Sequence, residues 1–471
     1  MVCRAYLLLL LIVASFFVAA QTRSRYDSVA RLIQMAFNKR EPLSMYALTG
    51  TVYQEKMDAT AFAEGMNRFY SKTGVWQTFS EKKLQDSAIT YTAVFENETQ
   101  LLFLQLDKTG KILRFNFQPE PFVKTVKSKP VITNNPMLTY LDSMVERQVR
   151  PYIQQSHTSA ICIAIISKGK TKYYSYGETK KGNGQLPDPE KTIFEIGSVT
   201  KTFTSLLLAN AVVHRQVHLA DPVNKYLNGR KPLLSSGGAS ITLQHLSNHT
   251  AGLPRLPENI FSGSVNPRDP YQHYHEDSLF RFLERYEPVI KPGTRFAYSN
   301  LGAGLLGCVL AQREHQSFER LIVDQICKPL KMESTKITLH RSDSLLLAQG
   351  YNEKGEATLL WNLASLQGSG AIRSTVSDMT KYIKAQLGIT HSVLDKAIRL
   401  THQPTFSSKE NVMGLGWRIA VPAQASYLYH SGGTGGFRSF VGFDKKRQFG
   451  VVILANAAED VTAIGQAIMA Q

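Results

Sequence analysis

The stretch Phe194-Glu195-Ile196-Gly197-Ser198-Val199-Thr200-Lys201 runs directly into Thr202-Phe203-Thr204-Ser205-Leu206-Leu207-Leu208-Ala209. It reads as a strand end, a glycine and then a buried helix, so the chain must supply a core large enough to surround it. Ser198 and Lys201 are three apart and project from one helix face, a turn apart. In the first turn of a helix, free N–H groups and the helix dipole favour negative charge. A serine alkoxide forming there, beside an amine that takes its proton, is a workable nucleophile. The spacing alone is cheap, since Ser80-Glu81-Lys82-Lys83 shares it. A serine at a helix start also has a purely structural use, capping N–H groups.

The rest of the chain bounds what this stretch can belong to. A length of 471 residues suggests two or more domains, and a hydrophobic share of 43% is ample for a core. Arg4, the apolar run Leu7 to Val18 and the small residues Ala19-Ala20 predict a secretory signal over residues 1–20, cleaved after Ala20. Retention as an uncleaved anchor is the alternative. No later stretch is long and apolar enough to cross a bilayer. The net charge of +17 comes from scattered lysines and arginines, without the interleaved aromatics of a nucleic-acid groove. A solvated basic surface is expected, with no nucleic-acid partner; attraction to anionic cell-envelope polymers is the alternative. Cys162, Cys308 and Cys327 lie in apolar stretches and read as small buried hydrophobes, with a Cys308–Cys327 bridge as the alternative. No metal motif is present and no cofactor is expected; Gln272-His273-Tyr274-His275-Glu276 reads as a polar loop.

Helical spacing over Arg25 to Phe37 and Asp58 to Lys72 precedes alternating stretches at Ala88 to Phe95, Thr99 to Leu106 and Ile112 to Gln118. This predicts a small α+β domain over residues 24–120, similar in order to the cone-shaped folds of nuclear transport factors. The proline-rich residues 121–136 read as an extended linker or strap. A larger domain is expected over 137–471. It starts with a helix to about Gln155 and a hairpin, Ala160 to Ile166 and Lys170 to Tyr176. It ends with strands at Leu415 to Val421, Phe437 to Phe443 and Gly450 to Ala455 and a helix from Asp460 to Met469. Strands at both ends with helices between suggest one sheet completed by distant parts of the chain.

Two further clusters carry chemistry. Tyr298-Ser299-Asn300 offers a phenol that relays protons and an amide that holds an amine or a carbonyl. Tyr429-His430-Ser431-Gly432-Gly433-Thr434-Gly435-Gly436-Phe437 places glycines just before a strand, where a backbone can approach closely and free N–H groups can serve an oxyanion. Five segments in order then carry a resemblance. They are Phe194 to Lys201, Leu219 to Val223, Leu246 to Pro254 (against "LLxHxSGLP"), Lys291 to Gly307 (against "PPGxxFxYSNxGxxLLG") and His430 to Phe437 (against "HxGxxxGF"). From Met137 onward the chain resembles the penicillin-recognising serine hydrolases, specifically the class C β-lactamase-like group.

The resemblance implies an α/β (α+β) fold, an antiparallel sheet flanked by helices with a helical subdomain. It implies that Ser198 is acylated, that Lys201 takes its proton and that Tyr298 acts as acid and base. Asn300 would orient Lys201 and the substrate, and His430 and Gly432 would line the site. The N–H groups of Ser198 and Gly433 would form the oxyanion hole. Lys201 and Tyr298 would both need lowered pKa values. His430 stands where β-lactamases have lysine as a fixed cation for the substrate's carboxylate; Arg438 is a candidate replacement. Family members with histidine here resemble esterases, D-amino-acid peptidases and carboxypeptidases. The expected activity is an exported, bacterial, periplasmic or extracellular serine hydrolase acting on a small-molecule or peptide substrate, with cell-wall polymer as a possible partner. The alternative is a non-catalytic cell-wall or peptide binding protein on the same fold.

Overall fold

The computed structural model describes residues 23–85, 88–119, 124–227, 229–230, 232, 234–262, 265–420 and 427–471. The expected leader over 1–20, the linker residues 121–123 and Val421 lie outside them. The chain divides into two compact units between residues 123 and 124.

The first unit opens with a helix over residues 23–38, whose Ala30, Ile33 and Phe37 face inward. The helix Ala59–Thr73 begins at Asp58, whose Oδ1 accepts the N–H groups of Thr60 and Ala61 at 2.9 Å, and ends at Gly74, where φ is +73°. Four antiparallel strands follow in chain order: Trp76–Gln85, Ala88–Phe95, Thr99–Leu106 and Ile112–Pro119. Every second residue of the middle two is buried, which fixes their register against the helices. Aromatic rings fill the core; Phe69 stacks on Phe117 at 4.7 Å and Trp76 on Phe95 at 5.4 Å. The sheet has one strand more than the sequence pattern suggested. Trp76–Gln85 is exposed along most of its length, so it carries no alternation to recognise. Ser80 and Lys83 lie on this strand rather than on a helix, which removes the common face their spacing would have given.

The second unit is built on one eight-stranded antiparallel sheet. Its spatial order is Phe406–Ser407, Val412–Met413, Arg418–Ala420, Tyr427–Gly433, Arg438–Asp444, Phe449–Ala455, Ala160–Ser167 and Lys170–Gly177. The hairpin from the start of the unit pairs with the last strand, Ile163 opposite Ile453. Residues 124–136 form a strap on the same unit: the Gly177 N–H donates to Ile132 O at 2.8 Å, and Asn135 Nδ2 donates to Asp142 O and Tyr176 Oη. One sheet face (Ile161, Ile163, Ile165, Val451, Ile453) packs on the helices Tyr140–Ile153 and Thr462–Met469. The other (Cys162, Ala164, Ile166, Val452, Leu454) packs on Thr200–Val213 and Val376–Leu387. Helices on both faces explain why the central strands read as continuous apolar runs. Cys162, Cys308 and Cys327 are free and buried, so no Cys308–Cys327 bridge forms.

Tyr427–Gly433 is a strand in its own right, with His430, Gly432 and Gly433 inside it rather than in the turn before a strand. Its glycines hide its strand pattern, and their presence has a steric cause at the site.

Candidate active site

Ser198 lies in a 3-10 turn, Gly197–Val199, at the mouth of the helix Thr200–Val213, which is buried from Thr200 through Ala209. Gly197 has φ of +50°, and a Cβ there would come within 2.6 Å of Gly433 N. A Cβ on Gly432 would come within 2.1 Å of Ile196 O and 3.0 Å of Ser198 N. The serine turn and the sheet edge therefore touch backbone to backbone, which only glycine permits. Ser439 ties them, donating its Oγ–H to Ile196 O at 2.7 Å. Gly433 is exposed at this edge, whereas Gly432 serves as the spacer beneath it.

Lys201 is 2% exposed, and its Nζ lies 3.1 Å from Ser198 Oγ, 2.8 Å from Asn300 Oδ1 and 2.6 Å from Ser369 O. Asn300 Oδ1 and the Ser369 carbonyl can only accept, so they occupy two N–H bonds of the amine. A neutral amine then has its lone pair left for the Ser198 hydroxyl proton. Burial and the Arg255 charge lower the lysine's pKa, against an opposing pull from Tyr298. Tyr298 is half-buried with the Lys201 Nζ 4.8 Å from its ring centroid. Burial pushes the Tyr298 phenol up, but the Lys201 charge and hydrogen bonding from Lys201 and Ser198 outweigh it and hold the pKa below its ordinary value.

Asn300 starts the helix Asn300–Arg313, capped by Ser299, whose Oγ accepts the Gly302 N–H at 2.9 Å. Ser369 ends the turn Ala364–Ser369, which lies directly on that helix: a Cβ on Gly304 would meet Leu366 at 2.7 Å, and Gly307 faces Gly368. The glycines of the helix thus set the position of the Ser369 carbonyl. Behind the serine, Glu195 pairs with Arg373 at 3.2 Å and accepts the Trp361 N–H at 3.0 Å, which fixes the loop leading to Ser369.

His430 is buried, and burial together with the nearby Lys201 charge pushes its pKa down to about 3, so it is neutral at pH 7. The Arg438 guanidinium lies beside Gly433, and its Nη1 donates to Thr434 O at 2.7 Å and Phe437 O at 2.9 Å. Residues that the sequence did not single out complete the site. Leu256, Tyr271, Trp361, Leu363 and Leu366 line a narrow cleft with Ser198, Asn300, Ser369 and Gly433. His249 holds the tyrosine segment. Its Nδ1 accepts the Ser299 N–H at 3.2 Å, its carbonyl accepts the Ala297 N–H at 2.8 Å, and its ring lies 4.5 Å from that of Tyr298. Only the match to "LLxHxSGLP" pointed towards it. Among the described residues no group of three or more His, Cys, Asp or Glu is placed to hold a metal ion.

Three neutral histidines make the unit acid-sensitive. Burial drives the pKa of His430 and of His402 down to about 3, and that of His249 well below its ordinary value. Below pH ~6.5 the unfolded chain takes up protons that the folded chain refuses, so stability falls as pH drops towards the folded pKa values. His430 and His402 are each expected to remove about 2 kcal/mol between pH 6.5 and 5. Urea unfolding at pH 7.5 and pH 5 should show this as a drop in midpoint, made smaller by His402→Gln.

A serine, a lysine and a tyrosine converging beneath a glycine-lined sheet edge define a serine hydrolase. The Beta-lactamase family model matches residues 145–468, and the chain belongs to that family, in its class C β-lactamase-like group. The beta-lactamase of Escherichia coli (strain K12) is 29% identical over 352 residues, covering 67% of this chain and 89% of that protein. The D-alanyl-D-alanine-carboxypeptidase/endopeptidase AmpH of the same organism is 26% identical over 330 residues, covering 67% of this chain and 84% of that protein. Among solved structures, the D-alanine carboxypeptidase AmpC from Burkholderia cenocepacia superposes with a TM-score of 0.61 at 26% identity, covering 70% of this chain and 98% of that one.

Proposed function

We propose that this chain is an exported serine hydrolase that works through an acyl-enzyme on Ser198. Its substrate is an ester or a peptide with D-residues, with β-lactam ring opening as a side activity. The observation that supports it most is the Lys201 amine, held by Asn300 Oδ1 and Ser369 O with Ser198 Oγ as its third neighbour. In the first step Ser198 Oγ attacks the carbonyl carbon while its proton passes to Lys201. The N–H groups of Ser198 and Gly433 stabilise the resulting oxyanion. Collapse breaks the ester or amide bond, and Tyr298 passes a proton to the departing oxygen or nitrogen. Water then loses a proton to Tyr298 and attacks the acyl carbon, and Ser198 Oγ departs as it takes back the proton held by Lys201. His430, neutral and buried, favours esters and D-peptides over substrates that need a fixed cation at the sheet edge. Both kinds of relative, a beta-lactamase and a D-alanyl-D-alanine carboxypeptidase, use acyl carbonyl substrates of this type, and export rests on the pattern of residues 1–20.

The purified chain should be treated with a fluorophosphonate probe and digested, and the modified peptide identified by mass spectrometry. Modification at Ser198, with turnover of a nitrophenyl ester, a D-alanyl peptide or a chromogenic cephalosporin, is the expected result. Labelling at another serine, or turnover of none of the three, overturns the reading.

A further inference from the structure

Two buried polar atoms beside the sheet edge have no hydrogen-bond partner among the described residues: Glu195 Oε2 and Thr434 Oγ1. A buried donor or acceptor left unpaired is costly. Here one is a carboxylate oxygen that accepts, the other a hydroxyl that can donate. The two side chains are neighbours without being joined. Burial pushes the Glu195 pKa up, while Arg373 and the nearby Thr434 hydroxyl pull against it.

Both residues are placed next to the reacting groups. Glu195 is three residues ahead of Ser198, on the short strand Phe194–Glu195, where the register sets it opposite Arg373. Its Oε1 is already used, accepting the Trp361 N–H at 3.0 Å and Arg373 Nη2 at 3.2 Å. Thr434 follows Gly433 directly and opens a tight turn, its N–H donating to Phe437 O at 3.0 Å. It lines the cleft with Ser198 and Gly433, yet its hydroxyl is shielded from solvent. The same turn rests on Trp361, since a Cβ on Gly435 would come within 2.8 Å of Trp361 Nε1. The Glu195 carboxylate thus serves the serine strand and the Trp361 loop, with its free oxygen left for the turn after Gly433.

We propose that Thr434 and Glu195 are positioning residues for the oxyanion hole: as a carbonyl oxygen draws in the Gly433 N–H, the Thr434 hydroxyl closes onto Glu195 Oε2. Hydrogen bonds that are open in the free enzyme commonly tighten only in the reacting complex. One made in the transition state and not before it raises kcat instead of tightening ground-state binding. This rests on the acyl-enzyme reading above and adds two residues to that same site.

Thr434→Val keeps the shape and removes the hydroxyl; Thr434→Ser keeps the hydroxyl. With nitrophenyl acetate, Thr434→Val should lower kcat about tenfold with KM within twofold of the parent's, and Thr434→Ser should stay within threefold of the parent's kcat. The dissociation constant of phenylboronic acid, whose tetrahedral adduct on Ser198 puts an oxygen in the hole, should also rise about tenfold in Thr434→Val. Its urea midpoint should not fall, because the hydroxyl removed is unpaired in the free enzyme. Glu195→Gln should cost less kcat in the Thr434→Val background than in the parent. A Thr434→Val kcat within threefold of the parent's, an equal loss in Thr434→Ser, a kcat loss matched by a lower midpoint, or equal Glu195→Gln costs in both backgrounds overturns the proposal. Ester turnover surviving in Ser198→Ala would instead overturn the acyl-enzyme reading, so the two failures are distinguishable.

Discussion

Alanine at Ser198 should lower kcat by about 10⁴-fold or more, alanine at Lys201 by a similar factor, and the double substitution by no more than the larger single loss. Lys201 has no use in the cleft without the hydroxyl 3.1 Å from it, and the hydroxyl has no other described amine to take its proton. The non-additivity is the diagnostic result; losses that multiply would mean that the two groups act in separate steps. Lys201→Met should also raise stability. The folded chain holds the lysine's proton weakly because the amine is buried, whereas the unfolded chain binds it up to pH ~10.4. Below that pH the wild-type fold carries a cost that methionine removes. Thermal melts at pH 7 and pH 10 check the sign, since the advantage of Lys201→Met should shrink as pH rises.

Gly432→Ala is expected to cost about 10²–10³-fold in kcat, although it adds a single methyl group and removes no polar atom. The new Cβ would overlap Ile196 O at 2.1 Å and Ser439 Oγ at 2.4 Å. Relief requires the serine turn and the sheet edge to separate, which pulls apart the N–H groups of Ser198 and Gly433. Overpacking of this kind also destabilises by about 1–3 kcal/mol. Gly433→Ala is the comparison for stability: the nearest atoms to its Cβ would belong to the Arg438 side chain, at 3.0 Å or more. Steady-state kinetics on a nitrophenyl ester and urea titrations of both variants separate the two effects. A Gly432→Ala enzyme with kcat within threefold of the parent would remove the close-approach argument.

The reacting groups were legible in the sequence because they come as side chains in short, ordered motifs: Ser198 and Lys201, Tyr298 and Asn300, His430 to Gly433. The lysine's other acceptor was not, because Ser369 acts through its main-chain carbonyl, and any residue has one. The Glu195–Arg373 pair was hidden by a sequence separation of 178 residues. Arg255 looked like one more basic residue in a chain of net charge +17, and only its placement over Tyr298 sets it apart. In the fold, buried alternation revealed Ala88–Phe95 and Thr99–Leu106, whereas the exposed strand Trp76–Gln85 and the glycine-bearing strand Tyr427–Gly433 gave no such sign. Sequence patterns record burial, and both of those strands are defined by something else.

The seam between Ala160–Ser167 and Phe449–Ala455 bears on biosynthesis. An apolar ribbon made early must wait, unpaired, until nearly three hundred further residues emerge from the ribosome, and such exposed edges invite aggregation. Nascent chains halted before Phe449 should therefore stay bound to chaperones, and a protein shortened by its last few dozen residues should fail as a whole rather than lose one peripheral piece.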